Sequence, residues 1–165
     1  MGSNLGARGA QLGAATDALE CLLGPLRIAS LYESEALVVA GEPLSSPPPF
    51  LNTAVVADDA TTDDPEILLA IAKRLELAAG RERAVRWAPR RLDIDLLLVG
   101  DQTASHAALT LPHPALRQRA FVLVPLAEIA PELRVPPDGV SVGALAAALA
   151  TPARLTRRQW VRAER

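Results

Sequence analysis

Residues 86–100 read RWAPRRLDIDLLLVG, a basic loop that turns into an apolar strand, with Asp93 and Asp95 set where the two meet. Successive side chains of a strand alternate faces, so the two carboxylates share one face roughly 6.6 Å apart, while Ile94, Leu96 and Leu98 point the other way into a core. Like charges that close repel unless a cation neutralises them, and hard carboxylate oxygens suit Mg²⁺, commonly held by one or two carboxylates plus substrate phosphates. The same spacing also fits a half-exposed strand with acids on its wet side. Upstream stand Arg81, Arg83, Arg86, Arg90 and Arg91 against a lone Glu82, and forked guanidinium groups match phosphate oxygens. Such a run reads as a solvated face or, with Trp87 interleaved, as a nucleic-acid patch. Directly before paired acids it reads as half of a phosphate-and-metal site.

Outward from this stretch, the pattern predicts alternating elements. A strand is expected over 92–99. Residues 8–23 place Leu12, Ala15, Leu19 and Leu22 at helical spacing, with Gly24-Pro25 as the stop. Residues 26–34 and 51–57 read as the arms of a hairpin whose tip, Glu35 to Phe50, exceeds an ordinary hairpin loop and suggests a lid. Asp63, Asp64 and Pro65 open a second helix through Leu77, stopped by Gly80. From 112 to 133 prolines and leucines alternate with short helical turns, and VGALAAALA (142–150) forms a small helix. The order is α-β-β-α-β followed by a tail.

With 165 residues, half of them hydrophobic, the chain reads as one globular domain with a sizeable core. Seventeen basic residues against 19 acidic ones leave a net charge of −2, which argues against a general nucleic-acid or membrane-surface binder and makes any anion site local. A single cysteine, Cys21, forms no intramolecular disulfide and is expected to be a buried thiol in the first helix. No basic-then-apolar leader begins the sequence, so the expected compartment is the cytoplasm.

The segment Arg86-Trp87-Ala88-Pro89-Arg90-Arg91-Leu92-Asp93-Ile94-Asp95 closely resembles the motif R-W-x-P-R-x-L-D-[IL]-D of the 6-hydroxymethyl-7,8-dihydropterin pyrophosphokinase family of folate biosynthesis. Further segments agree in order: Gly2-Ser3-Asn4-Leu5, Phe50-Leu51-Asn52, Glu76 with Gly80-Arg81, Leu111-Pro112-His113, Arg119-Ala120-Phe121 and Pro125 to Pro131. The resemblance implies a monomeric enzyme that transfers pyrophosphate from ATP to the pterin hydroxymethyl group and releases AMP. It implies two Mg²⁺ ions on Asp93 and Asp95, with Arg81 and Arg90 stabilising the transferring group. It implies ATP contacts at Glu76, Thr110, His113 and Arg119, with Arg83, Arg86 and Trp87 as mobile-loop contributors. For the pterin it implies Phe50 and Phe121 around the ring and Asn52 at its edge. Each has a plainer reading as a core aromatic, a turn residue or a cap. The sequence departs from the family at Ser34-Glu35-Ala36, where a Thr-Pro-Pro-type stretch is frequent, and at Ala108, where a basic residue is frequent.

The family fold is α+β, a ferredoxin-like βαββαβ core with helices on the sheet, here followed by a C-terminal extension. In it the Gly-Ser-Asn segment is the exit of a first strand lying between the strands expected at 51–57 and 92–99. That strand is expected to be missing from this chain, truncated relative to the family, leaving two facing rows of unpaired backbone groups, poor stability and weak activity. Two rival readings stand beside the enzyme: an inactive relative serving at most as a nucleotide- or pterin-binding module, and a nucleic-acid binder working through the arginine loop.

Overall fold

The computed structural model describes residues 1–35, 48–80, 90–149, 155–158 and 160. The expected lid at the hairpin tip falls largely outside these residues, as do Arg81, Arg83, Arg86 and Trp87.

Gly2–Ser3 (β1) lead into a helix, Arg8–Leu23 (α1). Arg27–Ile28 (β2) and Leu31–Ser34 (β3) make one arm of the hairpin, and Phe50–Asn52 (β4) and Val55–Val56 (β5) the other. β2 pairs with β5 and β3 with β4, both antiparallel. At the break between the two ladders the Ala29 N–H donates to the Ala54 carbonyl (3.0 Å) and the Thr53 hydroxyl to the Ala29 carbonyl (3.0 Å). The second helix, Pro65–Ala78 (α2), is followed by the pair Ala104–Ser105 (β6) and Thr110–Leu111 (β7). Then come a 3₁₀ turn at Leu116–Gln118, the helix Ala120–Ile129 (α3), the pair Arg134–Val135 (β8) and Val140–Ser141 (β9), the helix Val142–Ala147 (α4), and Thr156–Arg158 (β10). The main sheet runs β1-β4-β3-β10, antiparallel throughout.

Local chemistry accounts for the helix ends. Asp64 accepts the N–H groups of Glu66 (2.8 Å) and Ile67 (3.4 Å), and Pro65, which has no N–H to satisfy, occupies the first turn. Gly24 ends α1 at φ +95, its N–H bonded to the Glu20 carbonyl (3.0 Å). Which face α1 buries differs from the expectation. The buried series is Leu12, Ala15, Thr16, Leu19 and Leu23, a spacing that steps four residues from Leu19. Leu22 is thereby 48% exposed and Cys21 lies on the solvent face rather than in the core.

The sheet has a packed layer on each side. Leu12 and Ala15 of α1, Ala72 of α2, Leu31, Leu51, Leu92 and Ile94 form one cluster. Leu123 and Leu126 of α3, Val142 of α4, Leu116, Val135, Ala29 and Ala54 form the other. Burying a leucine fully contributes roughly 1.5–3 kcal/mol, so each cluster is substantial. A third cluster joins Val99, Leu109 and Leu111 beside α2. No helix among the described residues is long and apolar enough to cross a membrane.

Three further expectations are corrected. The order begins with a strand, β1, rather than with α1. The stretch 120–129 is a regular helix, not scattered turns, and carries Pro125 within it. The strand expected at 92–99 keeps a single bridge, Asp93 opposite Gly2, and 94–99 form no ladder.

Candidate active site

β1 organises the site through its backbone. Gly2 and Asp93 exchange both backbone hydrogen bonds (2.9 and 2.8 Å), while Gly2 lies opposite Asn52 on the other side. Asn4 then clamps Arg90 twice: its side-chain oxygen accepts the Arg90 N–H (2.6 Å) and its own N–H donates to the Arg90 carbonyl (3.0 Å). Arg90 is thus held where its Nη1 pairs with Asp93 Oδ1 at 2.7 Å. The amide between the two aspartates is fixed as well, because Ile94 N–H donates to Glu76 Oε1 (2.9 Å). Glu76 is fully buried, and its Oε2 meets Lys73 Nζ at 3.1 Å.

These elements frame a cavity of about 330 Å³ lined by Phe50, Asn52, Arg90, Asp93, Asp95, His113, Arg119 and Phe121, among others. Residues far apart in sequence therefore meet there. Arg119 lies over the Phe121 ring, 5.5 Å from its centroid, a distance at which cation and π face attract. His113 is held at backbone and ring: its backbone N–H donates to the Leu97 carbonyl (2.9 Å) and its ring Nδ1 accepts from Ala115 N–H (3.1 Å). The Asn52 amide nitrogen donates to Ser34 Oγ (2.9 Å) and the Tyr32 carbonyl (3.3 Å), so Oδ1 is what the side chain can offer a ligand. A Cβ on Gly2 would stand 3.0 Å from that oxygen and press the Asn52 side chain aside. Burial pushes the Met1 ammonium below its ordinary pKa, opposed by the Asp95 and Asp93 carboxylates, which favour the charged form.

Not every expected residue lies on the cavity. Glu76 anchors the strand from beneath, and Thr110 sits exposed in β7 opposite Ser105; neither lines the space. Arg81, Arg83, Arg86 and Trp87 lie outside the described residues. Conversely, Asn4, Ser34 and Gly2 do structural work at the site that no role in the sequence reading anticipated. The signal for Asn4 and Gly2 was their place in a matched segment. Ser34 gave none. As a cation site the donor set is two carboxylates, since among the described residues no cluster of three His, Cys, Asp or Glu groups converges. Two hard oxygen donors on the wall of this cavity fit Mg²⁺, which usually keeps waters and substrate oxygens as its remaining ligands.

A family model described as 7,8-dihydro-6-hydroxymethylpterin-pyrophosphokinase matches residues 1–131, from β1 through α3. The chain belongs to this family. It is similar to curated proteins named 2-amino-4-hydroxy-6-hydroxymethyldihydropteridine pyrophosphokinase. The one from Pseudomonas aeruginosa is 41% identical over 150 residues, 90% of this chain and 88% of the relative. The one from Methylorubrum extorquens is 41% identical over 133 residues, 81% of each. The one from Mycobacterium tuberculosis is 38% identical over 142 residues, 79% of this chain and 70% of the relative. The family match ends before β8, so the site described above lies wholly inside it.

Proposed function

We infer that the cavity carries out the family's reaction, transfer of pyrophosphate from ATP to the hydroxymethyl group of 6-hydroxymethyl-7,8-dihydropterin, with release of AMP, in folate biosynthesis. The observation that carries this reading is the convergence of Asp93, Asp95, Arg90 and Arg119 with Phe50, Phe121 and Asn52 on one cavity. Phosphate-directed groups and a flat-ring platform stand together. A binding module that had lost its chemistry would have no need of that carboxylate pair, and the inactive reading is not favoured.

The hydroxymethyl oxygen forms a bond to the β-phosphorus of ATP, the bond from that phosphorus to the oxygen of the α-phosphate breaks, and AMP leaves with the bridging oxygen. The alcohol proton passes to solvent. Phe50 and Phe121 hold the pterin ring, and Asn52 Oδ1 accepts from an N–H on its edge. Arg90 stabilises negative charge developing on the transferring group, and its clamp to Asn4 leaves it little freedom to reorganise. Arg119 and His113 hold the nucleotide, joined by Arg81, Arg83, Arg86 and Trp87 of the loop and by Thr110 at the periphery. Asp93 and Asp95 would hold Mg²⁺, which when bound would neutralise phosphate charge. Glu76 acts at one remove: by fixing Ile94 N–H it sets the direction of both aspartates. The fold that supports this is read as ferredoxin-like, with α1 and α2 on one face of the sheet, and the protein as a monomer of the cytoplasm.

Incubation with ATP, Mg²⁺ and the hydroxymethyl-dihydropterin, with AMP measured over time, tests the reading. AMP should form only when the pterin is present. Its release at the same rate without pterin, or its absence under all conditions, would refute it.

A further inference from the structure

Arg8 is the first residue of α1, whose first turn carries no acid, and a cation beside the free N–H groups of a helix start works against the helix dipole. Its compensation comes from two acceptors outside the helix. Nη2 pairs with Glu33 Oε2 at 2.9 Å, and Nη1 donates to the Pro49 carbonyl at 2.6 Å. Hydrogen bonds from Arg158 and then Arg8 hold the Glu33 carboxyl below its ordinary pKa, so the contact with Arg8 is between charges and directional. Both side chains are half-buried. A guanidinium suits the place because its diverging N–H groups reach two acceptors at once.

What Arg8 grips leads directly into the cavity wall. Pro48 and Pro49 have no N–H, so carbonyls are the backbone groups by which the entry to β4 can be held, and their fixed φ leaves little room to swing. Both carbonyls are held: Asn4 Nδ2 donates to Pro48 (3.4 Å) and Arg8 to Pro49. In the β3–β4 ladder Ser34 stands opposite Phe50 and Glu33 opposite Leu51. Neighbours along a strand face opposite ways, so Phe50 projects to the cavity while Glu33, like the buried Leu51, faces α1. Neither Arg8 nor Glu33 lines the cavity. We propose that Arg8, aimed by Glu33, is a positioning residue for the flat-ring substrate: from the α1 side of the sheet its fork fixes the Pro49 carbonyl and thereby the orientation of the Phe50 ring. This rests on the reading of Phe50 as one side of the pterin platform.

The test pairs kinetics with a direct view of the ring. The chain has two phenylalanines, Phe50 and Phe121, so labelling with 4-fluorophenylalanine gives one fluorine NMR line for each, assigned with Phe121→Leu. Arg8→Ala should shift and broaden the Phe50 line, leave the Phe121 line in place, and raise KM for the pterin roughly tenfold. KM for ATP and kcat at saturation should change little, as expected when ground-state and transition-state binding fall together. Arg8→Lys keeps the charge and the helix, but one ammonium nitrogen cannot replace two diverging ones. It should show the same line shift and KM change at unaltered Tm, which keeps the test decisive should the alanine variant fold poorly. Arg158→Ala removes the other bond to Glu33 and should move neither line nor either KM. An unmoved Phe50 line in both Arg8 variants overturns the proposal directly, and so does an equal effect of Arg158→Ala, which would mean general loosening of β3. A moved Phe50 line with an unchanged pterin KM overturns it through the reading beneath it, since Phe50 would not then carry the ring.

Discussion

The two cavities that meet at Met1 are built on the same backbone stretches yet differ in kind. In the smaller, of about 330 Å³, β1 stands between Asn52 and Asp93, and the side chains around it are held by short, specific bonds. In the larger, of about 510 Å³, the lining is mostly apolar, and Leu96, Leu97 and Leu98 stay half-buried. Backbone pairing is therefore what turns neighbouring polar residues into a directed set. Where it ends, the side chains have mainly apolar company.

Four changes would break or sharpen that contrast. Asp95→Ala should cut AMP formation roughly 10²- to 10³-fold or more while Tm moves by only a few degrees, because the side chain is exposed; near-normal turnover would mean that the polar end is not the catalytic end. Leu12→Ala, fully buried in the α1 layer, should lower unfolding free energy by about 2–5 kcal/mol in urea titration without changing the KM for either substrate of the folded fraction. Gly2→Ala drives a Cβ to 3.0 Å from Asn52 Oδ1. It should cost about 1–3 kcal/mol and raise KM for the pterin while leaving that for ATP; an equal rise in both would detach Asn52 from pterin recognition.

The smallest effect concerns a surface tie on β3. Hydrogen bonds from Arg158 and then Arg8 hold the Glu33 carboxyl below its usual value near 4.5. A depressed folded pKa contributes stability that is full above the unfolded value and is lost as pH falls through the folded one. Acid titration of Tm should therefore show a downward limb below about pH 4.5 that is shallower in Glu33→Gln. An unchanged limb would show that the pairs contribute nothing measurable.

Much of this was legible in the chain. The bounds of α1 and α2 followed from Gly24, Asp64 and Pro65, whose preferences are local. The grouping of Asp93 and Asp95 followed from strand parity, although Asp93 turned out to share its carboxylate with Arg90. What escaped was non-local. Nothing in Asn4 announces a partner 86 residues away, and Glu76, charged and on a helix, reads as a solvent-facing or ligand-facing residue until Ile94 N–H is seen above it. Pro125 reads as a breaker, yet the surrounding Leu123 and Leu126 are buried deeply enough for packing to outweigh one missing backbone bond. β10 is three exposed residues with no apolar pattern, which periodicity cannot detect.

That last strand also orders events in time. β10 covers the outer edge of β3, and Arg158 reaches back across 125 residues to Glu33. Contacts of such long sequence separation form late, since the loop they close is large. On the ribosome, the hairpin can therefore collapse onto α1 while one sheet edge is still bare, and bare edges are where chains pair with the wrong neighbour. The arginines of β10 give that edge a positively charged cover once it arrives, so the period of greatest exposure to misassembly ends only when residues 156–158 have cleared the exit tunnel.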